Sequence, residues 1–297
     1  IRIKPDYAEP YNNLGGVFKK AKNFNEAETH YMRAIDLQPN FPEAHYNLAD
    51  LLREIGQLEQ AQRYYKRVIK LKPNFTQAYL NYGVLLDNLG KWNKATTCFK
   101  IAILLNGASA EAYNNLGGIL KHLGQLDKAK DNYLRAILLH WKFAIAHNNL
   151  GIIWRELSQF QLSEESCRRS IALDVAYSDG HYNLGITLQA LNKFSEAIRS
   201  YKRAIILDPI FFVAYRNLGL TQKELGVFDA AECSFRYALI LEPGSAEAQH
   251  LLAALTGTMT VRAPQSYVEN LFDSYARNFD TSLVDKLEYR TPKRISE

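Results

Sequence analysis

Three cysteines in 297 residues, Cys98, Cys167 and Cys233, stand far apart and offer neither metal-ligand nor redox spacing. They read as small buried hydrophobes, and a reducing compartment, the cytoplasm, is the expected location. No apolar run approaches the ~18 residues that a membrane span requires, so no membrane contact is expected. No signal-like segment stands near Ile1. The net charge of +5 is spread along the chain, without the clustered Lys and Arg of a nucleic-acid footprint, and no nucleic-acid partner is expected. RNA reading by helical repeats would also need variable base-reading side chains, which are not evident. Nothing reads as a Gly-rich nucleotide loop after a strand. No cofactor, metal site or catalytic residue is therefore expected, and the chain by itself is read as a non-enzyme.

What the chain has in plenty is self-similarity, the signal to seek before any other. "YNNLGG" at 11–16 returns at 113–118, as "HNNLGI" at 147–152, as "HYNLGI" at 181–186 and as "YRNLGL" at 215–220, with looser copies at 45–50 and 79–84. Each step is a multiple of 34 residues, and seven units follow without insertion: 8–41, 42–75, 76–109, 110–143, 144–177, 178–211 and 212–245. Each unit predicts two helices. The first carries an aromatic residue or His, then Leu and Gly, at helical spacing. A turn follows, often with Gly (Gly56, Gly90, Gly124, Gly226), which suits a left-handed helix end. The second places small residues such as Ala129 and Ala136 on either side of a bulky one such as Tyr133, all on one face. Pro closes the unit at 39, 73, 209 and 243, where a helix cannot continue.

These Gly, Ala, aromatic and Pro series resemble the tetratricopeptide repeat over about four-fifths of the chain, a family whose period is 34 residues. The resemblance implies an all-α fold, a right-handed α-solenoid of antiparallel helix pairs, with first helices lining a concave side. Residues 1–7 fit the end of a truncated preceding repeat, so the native array is expected to continue before Ile1. A half-repeat at 246–256 reads as a cap, and 257–297 as a C-terminal helical segment. Within that segment, 267–295 resembles the linker of repeat-containing S-adenosylmethionine-dependent methyltransferases. That resemblance implies a substrate-recruiting region whose catalytic domain lies outside this chain. A capping segment over the last repeat is the other reading, and both can hold.

Asn recurs at one place in all seven units: Asn13, Asn47, Asn81, Asn115, Asn149, Asn183 and Asn217. It directly precedes the core-facing residue and is expected to look toward the groove. An amide both donates and accepts, so it can grip a peptide main chain whatever its side chains. The column resembles the ladder of the O-linked N-acetylglucosamine transferase superhelix, which is associated with binding peptide backbone. Asn that stabilises helix packing is the alternative. Side-chain contacts are expected from Tyr46, Tyr182 and Arg216, one place before the Asn, and from Ile152, Ile186 and Leu220, three places after it. The expected partner is a protein or an extended peptide, with self-association through the C-terminal segment or groove as a further contact. A basic series at Lys19, Arg53, Lys121, Arg155 and Lys223 either complements helix C-termini or favours acidic ligands. His45, His147 and His181 share the aromatic place and read as packing residues.

Unit 144–177 is the poorest copy: Ser163 and Ser170 replace Ala, Cys167 replaces the aromatic, and Val175 replaces Pro. Losing an aromatic to Cys removes roughly 1–3 kcal/mol of apolar burial unless neighbours fill in. Amide hydrogen exchange is expected to be faster over 144–177 than over 110–143, and equal protection would contradict this.

Overall fold

The computed structural model describes residues 7–258. Fifteen α-helices and no strand are found among them. The chain divides into two compact units after Asp174. The first holds α1 (Ala8–Lys20), α2 (Phe24–Leu37), α3 (Pro42–Glu54), α4 (Leu58–Leu71), α5 (Thr76–Asn88), α6 (Trp92–Leu105), α7 (Ala110–His122), α8 (Leu126–Leu139), α9 (Ala144–Glu156) and α10 (Phe160–Leu173). The second holds α11 (Ser178–Ala190), α12 (Phe194–Leu207), α13 (Phe212–Glu224), α14 (Phe228–Leu241) and α15 (Ala246–Thr256). Each 34-residue period thus carries a first helix of 13 residues and a second of 14, and α15 follows as the half-repeat. Residues 1–6 of the truncated repeat expected at 1–7, and the segment after 258 with its predicted helices, lie outside the described residues.

Within a repeat the two helices meet through a glycine and a ring. A Cβ placed on Gly117 would lie 2.8 Å from the Tyr133 ring, on Gly83 2.6 Å from Phe99, and on Gly185 2.5 Å from Tyr201. The missing methyl is what lets the aromatic lie flat against the first helix. Tyr31, Tyr65, Tyr133, Tyr201, Phe99 and Phe235 are accordingly among the largest fully buried side chains. Their flanking small residues, among them Ala27, Ala34, Ala129 and Ala136, are wholly buried. This is the jigsaw that the second-helix spacing predicts.

The fifth repeat solves the same problem differently. Cys167 stands against Gly151 and is fully buried. The hydroxyl of Ser163 donates to the Gly151 carbonyl at 2.7 Å, and that of Ser170 to the Ala144 carbonyl at 2.8 Å. The two serines that displaced Ala therefore tie α10 to α9 by hydrogen bonds where the ring is absent. Cys233 corrects one expectation: Cys98 and Cys167 are buried, but Cys233 is exposed. Its register place is held by Thr97, Asp131, Glu165 and Arg199 in other repeats, all exposed, so its position faces water whatever its polarity.

The turns between paired helices close as predicted. Gly56, Gly90, Gly124 and Gly226 have φ of +83°, +67°, +71° and +73°. The Gln57 N–H reaches back to the Leu52 carbonyl at 2.8 Å, which satisfies one of the carbonyls a helix end leaves open. The same place is filled by Lys22, Ser158 and Asn192 at φ of +58°, +60° and +58°, where a side chain costs roughly 1–2 kcal/mol. Ser158→Gly is therefore expected to raise stability by about 1 kcal/mol, measured by chemical denaturation, whereas Ser158→Ala should not.

Candidate functional site

The asparagine column lies on the first helices, and its rungs are used unequally. In the first unit, Asn47 Nδ2 on α3 donates to Asn12 Oδ1 on α1 at 2.9 Å. Asn81 Nδ2 on α5 donates to the Tyr46 hydroxyl on α3 at 2.8 Å, and Asn149 Nδ2 on α9 to Asn114 Oδ1 on α7 at 3.0 Å. In the second unit, Asn217 Nδ2 on α13 donates to the Tyr182 hydroxyl on α11 at 3.1 Å. Each bond spans 35 residues, so a rung reaches the side chain just before the rung of the preceding repeat. These bonds stitch neighbouring first helices together.

An amide nitrogen has two hydrogens and its oxygen two lone pairs, so one stitch leaves Asn47 and Asn149 with capacity to spare. Asn81 departs from the peptide-binding expectation. Its second N–H meets Asp50 Oδ1 at 3.1 Å, and its oxygen accepts from Gln77 Nε2 at 3.1 Å. Asn183 departs as well, being buried, with Nδ2 donating to the Asp179 carbonyl of its own helix at 3.0 Å. Asn13 is exposed, and Asn115 is half-buried.

The three residues expected to contact ligand from one place earlier serve the stack. Tyr46 accepts from Asn81 and packs on Phe75 with ring centres 5.0 Å apart; Tyr182 accepts from Asn217 and packs on Phe211 at 4.9 Å. Burial, aided by the Asp50 charge, pushes the Tyr46 hydroxyl pKa up to about 12, so it remains a neutral partner. Arg216 binds Glu247 of α15 at 2.6 Å and also approaches Asn217 Oδ1 at 3.4 Å. Leu220 packs against the cluster of Ala231, Phe235 and Leu251. Ile152 and Ile186 are half-buried. The 35-residue reach of a rung was the signal that sequence reasoning missed, since rung and acceptor lie in different repeats.

Asp50 is the electrostatic centre of the first unit. It is bound by Lys19, by Arg53 at 2.8 Å and by Asn81, and Lys19 also stands 3.2 Å from Glu54. Burial works against its charge, but Lys19 and Arg53 outweigh that and hold its carboxyl below the usual carboxylate range. Two members of the basic series are thus engaged in ion pairs. Lys121 and Lys223 lie in the last turns of α7 and α13, where cations suit the helix dipole.

The three repeated histidines act alike. Nε2 of His45, His147 and His181 meets the carbonyl six residues earlier, on Pro39, Trp141 and Val175, at 2.9, 3.0 and 3.2 Å. Gln249 makes the same bond to the Pro243 carbonyl at 2.8 Å. Burial lowers the pKa of each of the three histidines. Among the described residues, no group of three or more His, Cys, Asp or Glu is placed to hold a metal ion. No helix among them is long and apolar enough to cross a membrane.

Tandem pairs of antiparallel helices, joined through first-helix and second-helix faces, define a helical-repeat scaffold of the kind that holds other proteins. Sequence models of the tetratricopeptide repeat match residues 6–74, 64–97, 110–139 and 178–211, together more than half of the chain. The chain belongs to the tetratricopeptide repeat family. Comparison with curated proteins finds no match. Among solved structures, the chain is similar to the APC/C hetero-tetramer Cut9-Hcn1, with 16% identity and a TM-score of 0.72. That match covers 81% of this chain but 48% of the other, so this chain spans about half its length. It is also similar to a tetratricopeptide repeat protein from Parabacteroides merdae ATCC 43184, with 16% identity, a TM-score of 0.67, and coverage of 84% of this chain and 98% of that one. A third, YrrB, described as a TPR protein with an unusual peptide-binding site, shares 20% identity at a TM-score of 0.50, over 63% of this chain and 96% of its own. At these identities the likeness speaks to the fold alone.

Folded-state pKa values depressed at the histidines mean that the unfolded chain takes up protons first as pH falls. Stability should therefore decline from about pH 6.5 downward, and again through the carboxylate range as Asp50 is protonated. The triple variant His45→Gln, His147→Gln, His181→Gln copies the bond that Gln249 already makes. It is expected to lose the first decline and keep the second in urea melts taken against pH.

Proposed function

We propose that this chain is a scaffold that takes an extended peptide or protein segment along the groove lined by its first helices, and that its role is binding and not catalysis. The observation that carries this is the column of seven Asn at one register place, with four of its amides held in orientation by stitches to the preceding repeat. First helices stitched in register present a preorganised face, which lowers the cost of binding, and the amide groups not spent on a stitch remain to meet a ligand. The peptide-binding site named for YrrB supports the same use of the fold.

Magnitudes set what the column can contribute. A hydrogen bond is worth about 0.5–1.5 kcal/mol net, against roughly 4–15 kcal/mol lost on association. Micromolar binding needs about 8 kcal/mol, so side-chain contacts must supply a large share. The half-buried Ile152, in the first compact unit, is an apolar surface that would do so.

A second reading rests on residues 267–295, whose sequence resembles a methyltransferase linker. In that reading the array recruits the protein substrate of a catalytic domain that follows Glu297. The reading frame beyond Glu297 tests it, and a stop codon there would end it.

The primary test is selection of randomised 12-residue peptides on the full chain. Selected peptides should bind with micromolar affinity and compete with one another for a single site. Ile152→Asp is expected to weaken them by about tenfold, whereas Leu104→Asp, on the second-helix face of α6, should leave binding unchanged. Selected peptides indifferent to Ile152 and sensitive to Leu104 would place the site elsewhere.

A further inference from the structure

Four stitches follow a rule that Asn115 breaks. The side chains 35 residues before Asn47, Asn81, Asn149 and Asn217 are Asn12, Tyr46, Asn114 and Tyr182, and each accepts a hydrogen bond from its rung. The side chain 35 residues before Asn115 is Leu80, which can accept none. Asn115 accordingly makes no bond to the preceding repeat. Its oxygen instead accepts from the Nδ2 of Asn114 on its own helix at 3.3 Å. That contact leaves both N–H hydrogens and one lone pair of a half-buried amide available.

A second feature coincides with the first. Three places after the rung, the side chains on this face are Asp50, Val84, Ile152, Ile186 and Leu220, but glycine follows Asn115 at 118. The two neighbouring glycines of α7 differ. A Cβ on Gly117 would collide with the Tyr133 ring at 2.8 Å, so its absence serves packing. A Cβ on Gly118 would meet only the Tyr133 hydroxyl, at 3.8 Å, which is ordinary contact. Packing does not require glycine at 118, and its absent side chain leaves open surface beside the free amide. Asn13 also has a glycine three places on, Gly16, but among the described residues it has a neighbouring first helix on one side only.

We infer that Asn115, with the open surface at Gly118 beside it, is the rung that grips the main chain of a bound extended segment, while Asn47, Asn81, Asn149 and Asn217 chiefly hold the repeats in register. The inference rests on the groove reading above and narrows it. A segment lying across α7 offers a carbonyl to the Asn115 N–H and can approach the α7 backbone at Gly118, where a side chain would hold it away.

The test uses the full chain and a peptide selected on it from the randomised 12-residue library, with affinity read by titration calorimetry and stability by thermal melting. Asn115→Ala is expected to weaken the peptide about three- to tenfold, the range that one net hydrogen bond supplies, without moving the melting midpoint. Asn149→Ala and Asn47→Ala should lower the midpoint and change affinity less than twofold. Gly118→Ile should abolish binding with the melt intact. Loss of affinity equal at Asn149 and Asn115, or none at Asn115 and Gly118 while Ile152→Asp still weakens the peptide, would overturn the assignment of the rung and leave the groove standing. If no peptide can be selected, the groove reading falls and this inference with it. A midpoint that drops as far for Asn115→Ala as for Asn149→Ala would overturn the division between free and stitched rungs without reference to any ligand.

Discussion

Two antiparallel helices can share one core only if something lets their axes approach, and here it is the hydrogen that stands for a side chain on the first helix. At Gly15, Gly83, Gly117, Gly185 and Gly219 a methyl would sit 2.5–2.8 Å from the ring of the partnered Tyr or Phe. The ring needs the glycine to reach the helix, and the helix needs the ring to fill the space that glycine leaves. Everything beyond the repeat depends on this contact, because it fixes the rotation of the first helix about its axis. That rotation decides which residues face the neighbouring first helix and which face water. Ala49 shows the limit of tolerance: it stands where the others have glycine, opposite Tyr65, and both are fully buried.

Once rotation is fixed, the column of amides becomes a set of crosslinks. Asn is suited to this because it donates and accepts from one planar group, and an acceptor of either kind will do. Asn12 and Asn114 accept through amide oxygens, Tyr46 and Tyr182 through hydroxyls. The tyrosines add a ring packed on Phe75 and Phe211, so those stitches are also apolar contacts. In the first unit the Asp50 cluster reinforces the same seam with charge, drawing Lys19 of α1, Arg53 of α3 and Asn81 of α5 to one carboxylate. A seam made in this way serves both stability and binding, and the balance differs from rung to rung.

The fifth repeat shows how much variation the scheme absorbs. It lacks the ring and two of the small alanines, yet its serines return hydrogen bonds to the carbonyls of Gly151 and Ala144. The substitutions at 163, 167 and 170 read in the sequence as separate losses. In the structure they form one local solution, in which hydroxyls do between helices what apolar contact does elsewhere. The division of the chain into two compact units falls at the end of this repeat, after Asp174.

Periodicity alone determined the repeat length, the number of units, the helix pairs, the left-handed turns and the small-bulky-small face of the second helices, because each follows from short-range spacing within one unit. It also placed the asparagines on one face, and the repeated histidines among packing residues. What it could not determine was the use of each polar group. Tyr46, Tyr182 and Arg216 look like ligand contacts when read along one helix, and the structure turns them toward Asn81, Asn217 and Glu247. Cys233 looks like a core residue by type and is exposed by register. The reason is the same throughout: a hydrogen bond is decided by the three-dimensional distance between partners, and here the partners lie 31 or 35 residues apart on different repeats. Only tertiary packing could distinguish the amides stitched to a neighbouring repeat from Asn115, which is not.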